Sequence, residues 1–123
     1  MQGNKMTLNE LLSQLKTQPD SVEFDNVIET INNNYSYTPS RFTNGQGDDL
    51  VINDAGTNEG SCKIFAFALL NKLSKQQALA CFGKYYRQDV LLHPAANDHA
   101  NIRTLIKYSL NDIKFDNAAL TAC

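Results

Sequence analysis

The chain has 123 residues, 42% of them apolar and 20% charged, with a formal net charge of −2. That length fits one domain over 1–123, and that balance belongs to a chain able to bury a core. The 11 Lys and Arg residues are scattered, so no basic stripe offers itself to nucleic acid or to a membrane surface, and neither is expected as a partner.

The longest apolar run, Ile64 to Leu70, is too short to span a bilayer. Met1 to Met6 lacks the apolar segment of a secretory signal. The three cysteines, Cys62, Cys81 and Cys123, are odd in number and widely spaced, which argues against a disulfide framework and for a reducing, cytoplasmic compartment.

Thr7 and Glu10 have the spacing of a capping box, and Leu8, Leu11, Leu12 and Leu15 follow at helical period up to Pro19. Ser21 is the expected cap of a second helix with Phe24, Val27, Ile28 and Ile31 inward, closed by Asn32, Asn33 and Asn34. Tyr35, Tyr37 and Phe42 then alternate with polar residues, and Leu50, Val51 and Ile52 follow a turn cluster at Gly45–Asp49. This pattern predicts a loose β-hairpin before a loop over Asn53–Gly60.

Ser61 to Leu73 is apolar on nearly every side, the pattern of a buried central helix. Ser74 and Gln77 start another helix, with Ala78, Leu79, Phe82, Tyr85 and Tyr86 on its inner face and His93-Pro94 as its stop. Asn97 or Asp98 is the expected cap of the last helix, in which Ile102, Leu105 and Ile106 turn inward. Ile113 and Phe115 suggest a short strand, and the chain end is expected to fray. The fold class is mainly α: about five helices around the Ser61–Leu73 helix, with a minor β-hairpin.

Two stretches differ from plain scaffold. Asn58 to Phe67 sets Gly60, Ser61 and Cys62 at the start of a buried helix, where open amides and the helix dipole favour negative charge and can lower a thiol pKa. Asp98 to Arg103 packs an acid, an imidazole, an amide and a guanidinium into the first turn of the last helix.

Both stretches are among the strings by which the chain resembles the HopJ type III effector family of bacteria. The other strings are Tyr35-Ser36-Tyr37-Thr38-Pro39 and Phe82-Gly83-Lys84-Tyr85-Tyr86-Arg87, and the resemblance runs from about Met6 to Phe115. It implies a protein injected into a host cell and carries no catalytic residue with it. The capping box at Thr7 leaves six residues ahead of the first helix, little for a flexible export leader, and suggests action inside the bacterium.

Several residues admit a chemical reading beside a plain one. Cys62 with His99 has the makings of a nucleophile and base, and the reaction class would then be a cysteine-dependent hydrolase or transferase. The ordinary fate of a free cysteine on an apolar helix is the core. Glu59, Ser61, Lys63, Asp98, Asn101 and Arg103 are the candidate binding residues, for a small anionic ligand or a protein partner. Glu59 and Lys63 also suit an ion pair one turn apart.

Arg87 and Arg103 suit an anion or nearby carboxylates, and Tyr35, Tyr37, Tyr85 and Tyr86 suit a groove or the core. His93, Asp98, His99 and Glu59 match no strong metal-ligand spacing, so neither a metal nor a cofactor is expected. The simplest way to satisfy so many polar groups is for the two stretches to meet in one polar site.

Overall fold

The computed structural model describes residues 6–123, so the expectations drawn from Met1–Lys5 lie outside the described residues. The chain is mainly α with small antiparallel sheets. Helix α1 (Leu8–Thr17) opens on the Thr7–Glu10 capping box, with both reciprocal hydrogen bonds made, and buries Leu11 and Leu15. Helix α2 (Phe24–Asn34) starts later than Ser21. The Ser21 hydroxyl instead closes a 3₁₀ turn over Pro19–Ser21 by donating to the Gln18 carbonyl at 2.8 Å, and Glu23 caps α2 without a side-chain bond.

Strand β1 (Tyr35–Tyr37) follows α2 directly. Its partner is at the far end of the chain: β5 (Leu120–Ala122) pairs antiparallel with it, Tyr35 opposite Ala122 and Tyr37 opposite Leu120. The expected fraying of the C-terminus is therefore corrected. Ala119 and Leu120 are buried, and this burial together with the ladder bonds anchors the segment. The expected hairpin forms between β2 (Phe42–Asn44) and β3 (Val51–Asn53), and β4 (Lys114–Phe115) adds to the free edge of β2.

Helix α3 (Glu59–Leu70) begins two residues before Ser61. It ends before Leu73 because Lys72 adopts a left-handed conformation (φ 53°). The Leu73 amide then reaches the Ala68 carbonyl at 2.9 Å, the closing bond of a Schellman motif. Cys62 and the run Ile64–Ala68 are buried. The ring of Phe65 packs edge-on against Phe42 (centroids 5.9 Å apart) and Phe82 (5.6 Å), tying the hairpin to the second half of the chain.

Helix α4 (Lys75–Ala80) starts on the predicted Ser74–Gln77 box but does not run on to Tyr86. Gly83 breaks it with φ +57°. A π-helical turn over Tyr85–Val90 follows, in which the Leu91 amide reaches back five residues to the Tyr86 carbonyl. Helix α5 (Ala100–Lys107) is capped at His99, not at Asn97 or Asp98. It buries Ile102 and Leu105, while Ile106 is largely exposed.

The break at Gly83 has a packing cause. A Cβ there would lie 2.8 Å from the Phe24 backbone nitrogen, so the turn docks where only a glycine fits. Gly83→Ala is expected to lower stability by about 3 kcal/mol, combining left-handed strain with overpacking. Gly47 has φ +56° but open space around it, and Gly47→Ala should cost only about 1 kcal/mol. Urea unfolding of both variants checks this; equal losses would remove the packing explanation.

Candidate functional site

The starts of α3 and α5 lie side by side. Asn58, Gly60 and Ser61 from one, and His99, Ala100, Asn101 and Ile102 from the other, line a single open cleft of about 330 Å³. Phe24, Val51, Phe82 and Tyr85 supply its apolar walls. Gly60 permits the close approach on one side, since a Cβ there would sit 3.0 Å from the tip of the Phe24 ring.

Buried amide side chains join the two helix starts. Asn53 Oδ1 accepts from Asn101 Nδ2 at 2.8 Å and from Asn58 Nδ2 at 2.6 Å. Asn101 Oδ1 accepts from Asn53 Nδ2 and from Asn44 Nδ2, both at 3.2 Å. Asn44 Nδ2 also donates to the Asn101 carbonyl at 3.0 Å. Asn44, Asn53 and Asn101 are all buried, so the bonds among them are made away from water, where an unpaired amide costs about 1–3 kcal/mol, while Asn58 is exposed and its bond to Asn53 is half-buried. Asn44 Oδ1 is such an orphan: it is buried without a partner among the described residues.

Asn58 and His99 are the N-caps of α3 and α5. Both hold left-handed backbone, at φ 49° and 52°, and neither makes a side-chain cap bond. N-caps ordinarily use extended backbone and a side-chain oxygen to satisfy a first-turn amide. Here the amides of Gly60, Ser61, Ala100 and Asn101 have no hydrogen-bond acceptor among the described residues, and these same four residues line the cleft.

The other sequence-predicted residues take different roles. Arg103 donates to the Asp98 carboxylate at 2.7 Å, the Asp98 carbonyl at 2.6 Å and the Asp89 carbonyl at 3.3 Å, so it folds the 89–98 loop onto α5. Its hydrogen bond holds the Asp98 carboxyl below the usual carboxylate range. Lys63 does not meet Glu59: its Nζ reaches Asn32 Oδ1 at 3.0 Å and sits 4.8 Å above the Tyr37 ring. Arg87 donates to the Val22 carbonyl at 3.0 Å and pairs with Glu23. Of the four tyrosines, Tyr85 lines the cleft. No group of three His, Cys, Asp or Glu among the described residues is placed to hold a metal ion.

Cys62 and His99 have separate partners. Cys62 is 1% exposed and lies outside the cleft lining, with Sγ 3.9 Å from the Ser40 carbonyl. Burial raises its thiol pKa, so the helix start does not yield a thiolate. Tyr37, whose hydroxyl is buried without a partner among the described residues, has its pKa raised chiefly by burial as well. Burial pushes the Cys81 thiol up to about 12. His99 instead places Nε2 3.0 Å from Asp89 Oδ2.

Asn44, Asn53 and Asp89 escape a sequence reading, because asparagines beside a Gly45–Asp49 turn look like turn residues. The usable signal is that Asn53 falls at a strand position opposite Phe42, where a side chain rarely found in strands needs a buried partner.

A family model described as HopJ type III effector protein matches residues 8–120. The crystal structure of the unknown function protein VPA0580 superposes with a TM-score of 0.91, at 50% identity and over 98% of each chain. No curated protein matches the chain. No helix among the described residues is long and apolar enough to cross a membrane.

The thiol geometry makes a direct prediction. With a mild thiol reagent near neutral pH, exposed Cys123 is modified first, while buried Cys62 and Cys81 stay unmodified until the protein opens. Intact-mass spectrometry with peptide mapping reads this; Cys62 reacting ahead of Cys123 would restore the nucleophile.

Proposed function

The chain belongs to the HopJ type III effector protein family, and from that premise we propose that it acts as a small ligand-binding protein whose site is the cleft between the starts of α3 and α5. The observation that carries this reading is the convergence of unsatisfied backbone on one concave surface. Two helix starts with open amides, two left-handed non-glycine caps and a π-helical turn all border the same cleft. Strained backbone and π turns concentrate at functional sites, because a scaffold with no site to serve relaxes them away.

In this reading α3 is the central buried helix, and its apolar body fixes the floor beneath its own first turn. Ser61 and Asn101 touch the ligand directly, together with Asn58 and His99. Arg103 and Asp98 position the loop behind His99, and Glu59 and Lys63 lie at the margin. The family description names a type III effector, and export to a host cell is what that name implies for this chain, against the expectation of action inside the bacterium.

The hydrolase or transferase alternative loses its support with the burial of Cys62. A cleft of about 330 Å³ with aromatic walls and a few convergent polar groups has the size and character of a small-molecule site.

Ser61→Phe, which fills the cleft from α3, provides the test. A fragment set is screened by amide-detected NMR on both proteins. The expected outcome is fragment-dependent shifts at Asn58, Ser61, Ala100 and Asn101 in the wild type and their loss in a folded Ser61→Phe. Shifts that persist in the variant, or fall elsewhere on the surface, would overturn this site.

A further inference from the structure

The wall of the cleft holds His99, and the carboxylate paired with it from outside the lining, that of Asp89, narrows what the ligand can be. His99 Nε2 lies 3.0 Å from Asp89 Oδ2 and 3.9 Å from Asp98 Oδ2. A carboxylate only accepts, so Nε2 carries the proton, and in the neutral ring the lone pair falls to Nδ1. Nδ1 has no hydrogen-bond partner among the described residues.

The ring is held on other sides too. Tyr85 packs against it with centroids 5.2 Å apart and planes at 39°, and Tyr85 is itself braced edge-on by Phe24 at 5.0 Å. Tyr85 and Asp89 both project from the π-helical turn, which therefore supplies the stacking face and the orienting carboxylate together.

The charges around the ring count against an anion. Asp98 is matched by Arg103 at 2.7 Å, whereas no Lys or Arg lies within 4 Å of the Asp89 carboxylate among the described residues. An anion at Nδ1 would meet a lone pair backed by that carboxylate. A hydroxyl suits every group present: its hydrogen goes to Nδ1, and its oxygen can accept from an open amide of a helix start.

We infer that His99, oriented by Asp89, is the hydrogen-bond acceptor of the cleft, and that the ligand is a hydroxyl-bearing molecule whose apolar or aromatic body rests against Tyr85 and Phe24. This inference rests on the cleft being the binding site.

Benzyl alcohol and benzoate share one ring and differ in the head group, so they are the probes. Each is titrated against the full chain, with amide shifts and the His99 and Tyr85 side-chain signals as readouts. Benzyl alcohol is expected to bind at least fivefold more tightly than benzoate. His99→Phe, which keeps a ring against Tyr85 but has no acceptor, should abolish that preference. Asp89→Ala, which leaves the imidazole in place without its orienting carboxylate, should reduce the preference and serves if His99→Phe does not fold. Equal or tighter benzoate binding, or a preference that survives these substitutions, overturns the hydroxyl assignment and leaves the cleft reading standing. No shift at Asn58, Ser61 or Asn101 with either probe overturns both.

Discussion

Buried amide groups must find partners, and in this chain three buried asparagines find one another and a fourth, exposed one. Asn44 and Asn53 come from the two strands of the hairpin, Asn58 from the cap of α3 and Asn101 from the first turn of α5. They are up to 57 residues apart in sequence. The network can close only if the hairpin and both helix starts occupy one place. Apolar packing alone would bring α3 and α5 near each other but would tolerate sliding. Directional bonds of about 1 kcal/mol net each, with a larger loss if one is left unmade, do not.

The geometry of the cleft follows from that junction. Beside that junction the first amides of both helices are unsatisfied, and Asn58 and His99 hold left-handed conformations that cost about 1–3 kcal/mol apiece. The rest of the domain supports this arrangement. Phe42, Phe65 and Phe82 lock the hairpin, α3 and the end of α4 together beneath the cleft. Arg103 organises the approach to α5, and Gly83 lets the π-helical turn close against the entry to α2.

What the sequence discloses is what local chemistry decides. The Thr7–Glu10 and Ser74–Gln77 boxes are satisfied within three residues, so they can be read directly, and the alternation around Gly45–Asp49 marks the hairpin. Long-range partners overrule the rest. Ser21 has a cap's composition but spends its hydroxyl on a tighter turn. Tyr35–Tyr37 pairs with Leu120–Ala122, more than 80 residues later, which no local pattern encodes. Asn97 and Asp98 look better suited to capping than His99, yet Arg103 draws the Asp98 carboxylate away. The polar character of Asn58–Lys63 and Asp98–Arg103 is legible as chemistry, and part of each stretch, Asn58, Gly60 and Ser61 with His99, Ala100, Asn101 and Ile102, lines one cleft, whereas Glu59, Lys63, Asp98 and Arg103 do not. The thiol in the first stretch points into the core, since position 62 falls on the buried face of α3.

The claim on which this account depends is that the asparagine junction acts as one unit. A double-mutant cycle with Asn53→Ala, Asn101→Ala and the pair, followed by urea unfolding, measures it directly. Each single substitution removes both bonds between Asn53 and Asn101 and leaves the remaining amide with its bonds to Asn58 or Asn44, so each is expected to cost about 2–3 kcal/mol. The double variant should cost less than the sum by at least about 1 kcal/mol, the range found for residues in one buried network. Additivity to within about 0.3 kcal/mol would mean that the two side chains stabilise the fold independently, and that something other than this junction holds the helix starts together.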